Sequence, residues 1–249
     1  MPSHLLTKPA SAIHQGMPAL KCKLKKSTSF FEFWPTPLIY FPVLIQWLYL
    51  SVRHRSLSLP LIANTSIALA GMVGESKASI LNIVGQHASA FIAPFICINN
   101  DSSKPLDNRL RDALQALSSA GITLPVIAKP DIGCRGAGVK IIHNPRALEK
   151  YLLNFPTQAT LLLQKKINHE AEAGIFYIRH PGQAQGHIFS LTLKYSPYVI
   201  GDGLQSLRQL IKADARAHKI SHIYFSRHQN MLDEIIADGI AFQLSFAGS

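Results

Sequence analysis

The sequence predicts an α/β (α+β) fold: a small N-terminal α/β layer followed by a larger sheet-and-helix domain that opens on a glycine hairpin. Three observations predict it. From residue 67 onward, apolar runs of strand length alternate with stretches of helical spacing. Gly133, Gly136 and Gly138 stand between two apolar runs, not between a strand and a helix. The composition is that of a packed protein, 47% apolar and 16% charged over 249 residues, enough for one large domain or two small ones.

In chain order, residues 1–28 read as a basic, flexible extension. Residues 1–31 hold Lys8, Lys21, Lys23, Lys25 and Lys26 and no acid, so they carry five of the eleven formal net positive charges. Such an arm is ordinarily solvated. Residues 29–52 read SFFEFWPTPLIYFPVLIQWLYLSV, a length that invites a transmembrane reading. Glu32, Gln46 and the prolines Pro35, Pro37 and Pro42 argue against a span, because proline frees backbone groups that lipid cannot satisfy. A buried packing segment, a membrane-surface or partner-docking element and a span remain open, with a short helix over 43–52. The apolar run starts too late for a secretory signal and lacks a small-residue cleavage site. Cys22, Cys97 and Cys134 are scattered; they predict neither a metal motif nor a disulfide framework, and the simplest compartment is a reducing cytoplasm.

Residues 67–73 are a strand candidate, 76–84 a helix, 91–98 a strand, and 106–120 a helix that stops at Gly121. Residues 29–120 thus make the Trp/Pro-rich segment and the N-terminal α/β region. Residues 121–249 make the second domain. It begins with a strand over 125–129, the glycine loop 131–138 and a returning strand over 139–142. Asn144-Pro145 opens a helix to 153. Strands follow over 160–164, 174–179 and 187–194, then a turn at Gly201-Asp202-Gly203, helices over 204–211 and 228–237, and a last strand over 241–246.

The chemistry concentrates in IAKPDIGCRGAGVKII, residues 127–142. Glycines let backbone N–H groups approach a phosphate without an intervening side chain. Lys129 precedes the loop and Arg135 lies in it, both suited to phosphate charge. A P-loop needs Gly-Lys-Ser/Thr at a helix start, but Gly138 is followed by Val139. A dinucleotide turn also runs into a helix. A hairpin flap folding over a triphosphate fits the pattern better.

LPVIAKPDIGCRGAGV, then LLLQKKI, AEAGIFYIR and SLTLKY, together resemble the ATP-grasp superfamily, in its carboxylate–amine ligase form. VIGDGLQSLRQLI, residues 199–211, looks like a turn of the same ligases, and FEFWPTPLIYFPV and VGESK look like the front of an uncharacterised ATP-grasp family. The resemblance covers roughly residues 30–248. It implies an ATP-grasp-like fold with an incomplete nucleotide-binding domain over 121–249. It makes Lys129 the strand lysine and Gly133, Gly136 and Gly138 the flap. Gln164, Lys165 and Ile167 become the hinge whose backbone pairs with adenine. Glu172 becomes the ribose acid, with Glu170 its rival, and Lys194 a later phosphate contact. Arg135 becomes the catalytic candidate, reading a substrate carboxylate. Lys77 and Lys104 are secondary basic candidates, and His180 and His187 read as surface or core histidines.

The implied cofactors are ATP and Mg2+, and the implied partners a carboxylate and an amine joined through an acyl-phosphate. The family's magnesium ligands come late, as an acid and an acid-x-Asn pair. After Lys194 the only acids are Asp202, Asp214, Asp233, Glu234 and Asp238, and the only asparagine, Asn230, has His228 two residues before it. No metal ligands are therefore assigned, and the expectation is a shortened chain with impaired turnover. Two alternatives stand beside the ligase: a non-catalytic or vestigial nucleotide-binding protein, and a basic protein of membrane surfaces or nucleic acid. The charge suits anionic partners, but no nucleic-acid motif is present and none is expected to bind. Residues 29–52 leave room for weak membrane association of a cytoplasmic protein.

Overall fold

A computed structural model describes residues 6–18, 34–62, 64, 66–72, 74–133, 136–169 and 171–245. Along the chain come β1 (Thr7–Pro9), α1 (Thr36–His54), α2 (Lys77–Asn82), α3 (Gln86–Ser89), β2 (Phe95–Asn99) and α4 (Leu106–Ser119). Then follow β3 (Val126–Pro130), β4 (Lys140–Ile142), α5 (Pro145–Asn154), β5 (Thr160–Lys165), β6 (Glu172–Ile178) and β7 (His187–Lys194). The chain ends with β8 (Tyr198–Ile200), α6 (Leu207–Ala213), α7 (Ser221–Arg227) and β9 (Ile240–Gln243). Among the described residues the fold is mixed α/β, with nine strands, all paired antiparallel, and seven helices.

The chain divides into two compact units, one over residues 33–167, the other over 168–247 together with the N-terminal residues up to 32. In the first unit the sheet runs β2-β5-β3-β4. The strand at Phe95–Asn99 pairs along β5, so a division at residue 120 would cut this sheet. Strand alternation sends Val126, Ala128, Leu161 and Leu163 to one face, where α4 and α5 bury them under Ala113, Leu117, Leu148 and Leu152. The helices form for local reasons. Leu106, Leu110, Ala113 and Leu117 recur at helical spacing, and the chain leaves α4 through Gly121 at φ +65°. The Asn144 side chain accepts the Ala147 amide, with Pro145 in the first turn, which starts α5.

A buried polar clasp ties the end of α5 to the end of β2. The Asn100 Nδ2 donates to the carbonyls of Leu152 and Phe155, at 3.2 and 2.9 Å. Its Oδ1 accepts from Arg109 Nη1 at 2.9 Å. The clasp satisfies carbonyls that the helix end leaves without partners.

Two expectations in this unit fail. The strand expected over 67–73 is absent over 67–72: Ala68–Gly71 is a tight turn, with Leu69 and Ala70 both left-handed at φ 51° and 53°, and residue 73 lies outside the described residues. The short helix over 43–52 is longer, because α1 starts at Thr36 with proline in its first turn and continues through Pro42.

In the second unit β9 lies between β1 and β8. Phe242 and Leu244 join Val199, Leu207, Ile211, Tyr224 and Leu232 in its core. The β1–β9 pairing corrects the reading of residues 1–28 as a flexible extension, since Thr7–Pro9 is a strand in register with Phe242–Ile240; residues 19–28 lie outside the described residues. The helix expected over 204–211 begins later, at Leu207. The Asp202 carboxylate accepts the Leu204 and Gln205 amides and holds the turn open, and a Ser206–Gln209 capping box then starts α6.

The helix expected over 228–237 is absent: only Gln229–Met231 makes a single tight turn, and the α-helix lies before it, at Ser221–Arg227. His228 is the reason. It leaves helical geometry at φ −116°, ψ 28°, is buried, bonds through Nε2 to the Leu244 carbonyl at 2.9 Å, and sets its ring edge-on to Phe242. Burial holds its pKa below the usual histidine value. The remaining strands, β6 and β7, pair only with each other among the described residues, with a bulge at Phe176/Tyr177.

Candidate functional site

The glycine loop joins β3 to β4, two antiparallel neighbours with Val126 opposite Ile142. It is a hairpin, and no helix begins among its described residues. Lys129 sits on β3 opposite Leu162 of β5, and Ile127 opposite Gln164. Alternation puts Lys129, Leu162 and Gln164 on the face turned away from α4 and α5. There Lys129 Nζ donates to Gln164 Oε1 at 2.7 Å, and Gln164 Nε2 donates to the Ala93 carbonyl at 2.8 Å.

The hairpin is pinned on both sides. At its far side the buried Tyr151 hydroxyl donates to the Gly138 carbonyl at 2.7 Å, and burial pushes that phenol up to about 12. Gly138 has φ +73°, and a Cβ there would meet Pro130 Cγ at 2.8 Å. Glycine is required at that point on both counts. At its near side Lys77 Nζ donates to the carbonyls of Asp131 and Gly133, at 2.9 and 2.8 Å. The buried Asp131 in turn accepts the Ala78 amide through Oδ1 at 2.8 Å, so the start of α2 and the start of the hairpin hold one another.

Electrostatically the spot brings two lysines near one buried carboxylate, Asp131, that bonds to the Ala78 amide and not to either ammonium. Among the described residues neither Lys77 nor Lys129 forms an ion pair. The Lys129 ammonium is half-buried, and its pKa is lowered by burial first and by the Lys77 charge second. A charge in that position gains from an incoming anion.

The other site residues expected from the sequence are placed as follows. The Lys165 amide is already donated to the Pro94 carbonyl at 2.8 Å. β5 ends at Lys165 and Ile167 is exposed beyond it. Glu172 and Lys194 lie in the second unit, opposite one another on β6 and β7, and they pair with each other at 2.8 Å on an exposed surface. Arg135, Cys134 and Glu170 lie outside the described residues. Gly133 and Gly136 both have positive φ, 148° and 69°. Lys104 is engaged by Asp112 at 2.7 Å.

Two clefts open on the first unit. One, of about 410 Å³, is lined by Asn100, Lys104, Arg109 and Asp112. The other, of about 370 Å³, is lined by Leu81, Ile92, Pro94 and Ile122. Neither is lined by Lys129 or the glycines; in the first cleft Lys104 is paired with Asp112 and Arg109 bonds the Asn100 amide.

Sequence reasoning gave Lys77 little weight and did not single out Tyr151. Lys77 reaches a loop that lies 54 residues further on, a link no local pattern carries. Tyr151 carried a weak signal: an aromatic on the buried face of a helix that directly follows the hairpin. No protein-family model, no curated protein and no solved structure matches this chain.

Proposed function

We propose that this chain binds ATP in the manner of an ATP-grasp protein, with the β3–β4 hairpin closing over the triphosphate. One observation carries the reading: Lys77 and Lys129 stand at a glycine hairpin and neither is ion-paired among the described residues, the nearby Asp131 carboxylate giving Oδ1 to the Ala78 amide. Lys129 is the principal phosphate ligand and trades its bond to the neutral Gln164 amide for a phosphate oxygen. Gly133, Gly136 and Gly138 leave the loop backbone free of side chains, so its N–H groups can approach the β- and γ-phosphates. Lys77 spends its donors on the Asp131 and Gly133 carbonyls and so fixes the loop's shape while adding charge. Since Lys165 already gives its amide to Pro94, the adenine takes its backbone contacts from the chain just beyond β5, towards Ile167.

The ATP-grasp resemblance would extend this to ligase chemistry, a carboxylate activated as its acyl-phosphate and captured by an amine, with Arg135 reading the carboxylate. Such transfer uses magnesium to offset phosphate charge. Among the described residues no group of three or more His, Cys, Asp or Glu side chains converges. Magnesium on a nucleotide usually takes one or two carboxylates beside phosphate oxygens and water; we assign it no ligand in this chain and route no step through it. Nucleotide binding without turnover is the second reading.

Calorimetric titration with ATP tests the binding. Lys129→Ala should weaken ATP by roughly 10–100-fold, the loss expected for one charge-assisted hydrogen bond. An unchanged Kd would refute the site. ADP release that depends on an added carboxylate and amine would favour the ligase over the binding-only reading.

A further inference from the structure

Helix α1 presents an anomaly of burial. A helix that is apolar on every side is ordinarily enclosed, by protein or by lipid. Here Tyr40, Phe41, Val43, Ile45, Tyr49 and Val52 are all exposed, Val52 at 80%. Consecutive residues are turned about 100° from one another, so these positions spread over most of the helix circumference, and one stripe, through Trp47 and the buried Ser51, is covered. Trp47 is only half-buried, and its indole N–H has no partner. The exposure continues past the helix, through Leu57, Ile62, Leu69 and Met72. Surface of this kind marks an interaction.

The charge around it says with what. Glu32 is the only acid in the first 74 residues, which hold Lys8, Lys21, Lys23, Lys25, Lys26, Arg53 and Arg55. Arg53 and His54 form the last turn of α1, and Arg55 follows at its cap. A second copy of the chain would cover one stripe of the helix and leave the remainder in water. A lipid phase can cover all of it. Among the described residues no helix is long and apolar enough to cross a membrane.

We propose that α1 seats the protein in one leaflet of an anionic bilayer. Its leucines, isoleucines and aromatic rings enter the acyl boundary, and Arg53 and Arg55 meet headgroup phosphates. The proposal is independent of the nucleotide site.

The test is flotation of the full chain with vesicles of phosphatidylcholine alone and of equal parts phosphatidylcholine and phosphatidylglycerol. Tryptophan emission is read in parallel, with Trp34 and Trp47 the only indoles. The chain should float with the anionic vesicles and shift its emission to the blue. Leu44→Glu together with Leu48→Glu should lose binding at least tenfold. Both positions are exposed, so the fold tolerates the change, and circular dichroism checks it. Arg53→Glu with Arg55→Glu, which leaves the apolar helix intact, should weaken binding and remove its salt sensitivity. Phe189→Glu, on β7, should change nothing. Failure to float would overturn the proposal, as would equal binding to uncharged vesicles or loss of binding only in Phe189→Glu. A dimer in sedimentation that Leu44→Glu dissolves, without any flotation, would overturn it in favour of a second copy.

Discussion

The β5 strand and the β7 strand are alike in sequence and unlike in circumstance. TLLLQK and HIFSLTLK are both apolar, both antiparallel and both continuously paired. Yet Leu161 and Leu163 are fully buried, while Ile188 and Phe189 are 62% and 67% exposed. The difference lies outside the strands. β5 is flanked by β2 and β3 and roofed by α4 and α5, whose apolar stripes face it. β7 has β6 alone, and among the described residues no strand joins either outer edge of the pair. Pairing satisfies backbone hydrogen bonds, but only a second layer removes side chains from water. A two-stranded ribbon is marginal by itself, and apolar pairing without a roof leaves the surface and edges that invite association.

The comparison breaks most visibly under truncation of an apolar side chain in each place. Leu152→Ala, on the sheet-facing side of α5 and fully buried, should cost about 2–5 kcal/mol, the transfer term plus the cavity left behind. Ile188→Ala should fall within about 0.5 kcal/mol, since its side chain is already in water. Urea unfolding of both variants measures it. Equal losses would mean that the ribbon is enclosed in solution by something the burial pattern does not show.

Backbone substitution sharpens the contrast at intermediate size. Gly138 closes the hairpin of the roofed sheet, and Gly182 turns the ribbon; φ is +73° and +82°. Alanine at either position incurs left-handed strain of about 1–2 kcal/mol. At Gly138 the new Cβ also meets Pro130, while at Gly182 it meets open space. Gly138→Ala should therefore be the more destabilising by about 1 kcal/mol or more and should weaken ATP as well. A Gly138→Ala variant no less stable than Gly182→Ala would show that Pro130 yields, and that the hairpin is not pinned there.

What the sequence disclosed follows the same division between local and distant causes. The glycine hairpin, the strand before it and the helix after it were legible because each signal is contained in a few neighbouring residues: Lys129 and Pro130, three glycines, then Asn144-Pro145. The roof was legible from the helical spacing of Leu106, Leu110, Ala113 and Leu117. β1 was not, because three residues with a proline earn their strand from Ile240–Phe242, more than 230 residues away. The supposed helix over 228–237 failed for a similar reason, since its apolar spacing is overruled by a histidine bonded to Leu244. Of the candidate site, Lys129 and the glycines stood out in the sequence, and the bonds of Lys77 to the hairpin were hidden by distance in sequence. The helical propensity of α1 was readable only in part. Pro42 argued for a short helix, but a proline costs only the hydrogen bond it removes and a local clash, and apolar neighbours on both sides carry the helix through it.

The smallest expected effect lies at the start of the ribbon, where Glu172 and Lys194 face each other across β6 and β7 at 2.8 Å. Both are about half or more exposed, so the pair is solvated and screened, worth roughly 0.2–1 kcal/mol at low salt and less as salt rises. A double-mutant cycle with Glu172→Gln and Lys194→Met should return a coupling in that range that fades at high ionic strength. The same variants weigh on function. If the lysine's partner is the carboxylate across the ribbon, nucleotide affinity should stay as it was in Lys194→Met while it falls in Lys129→Ala. If Lys194→Met also weakens ATP, the pairing of Lys194 with Glu172 does not exhaust its role and the separation drawn here between ribbon and nucleotide binding fails.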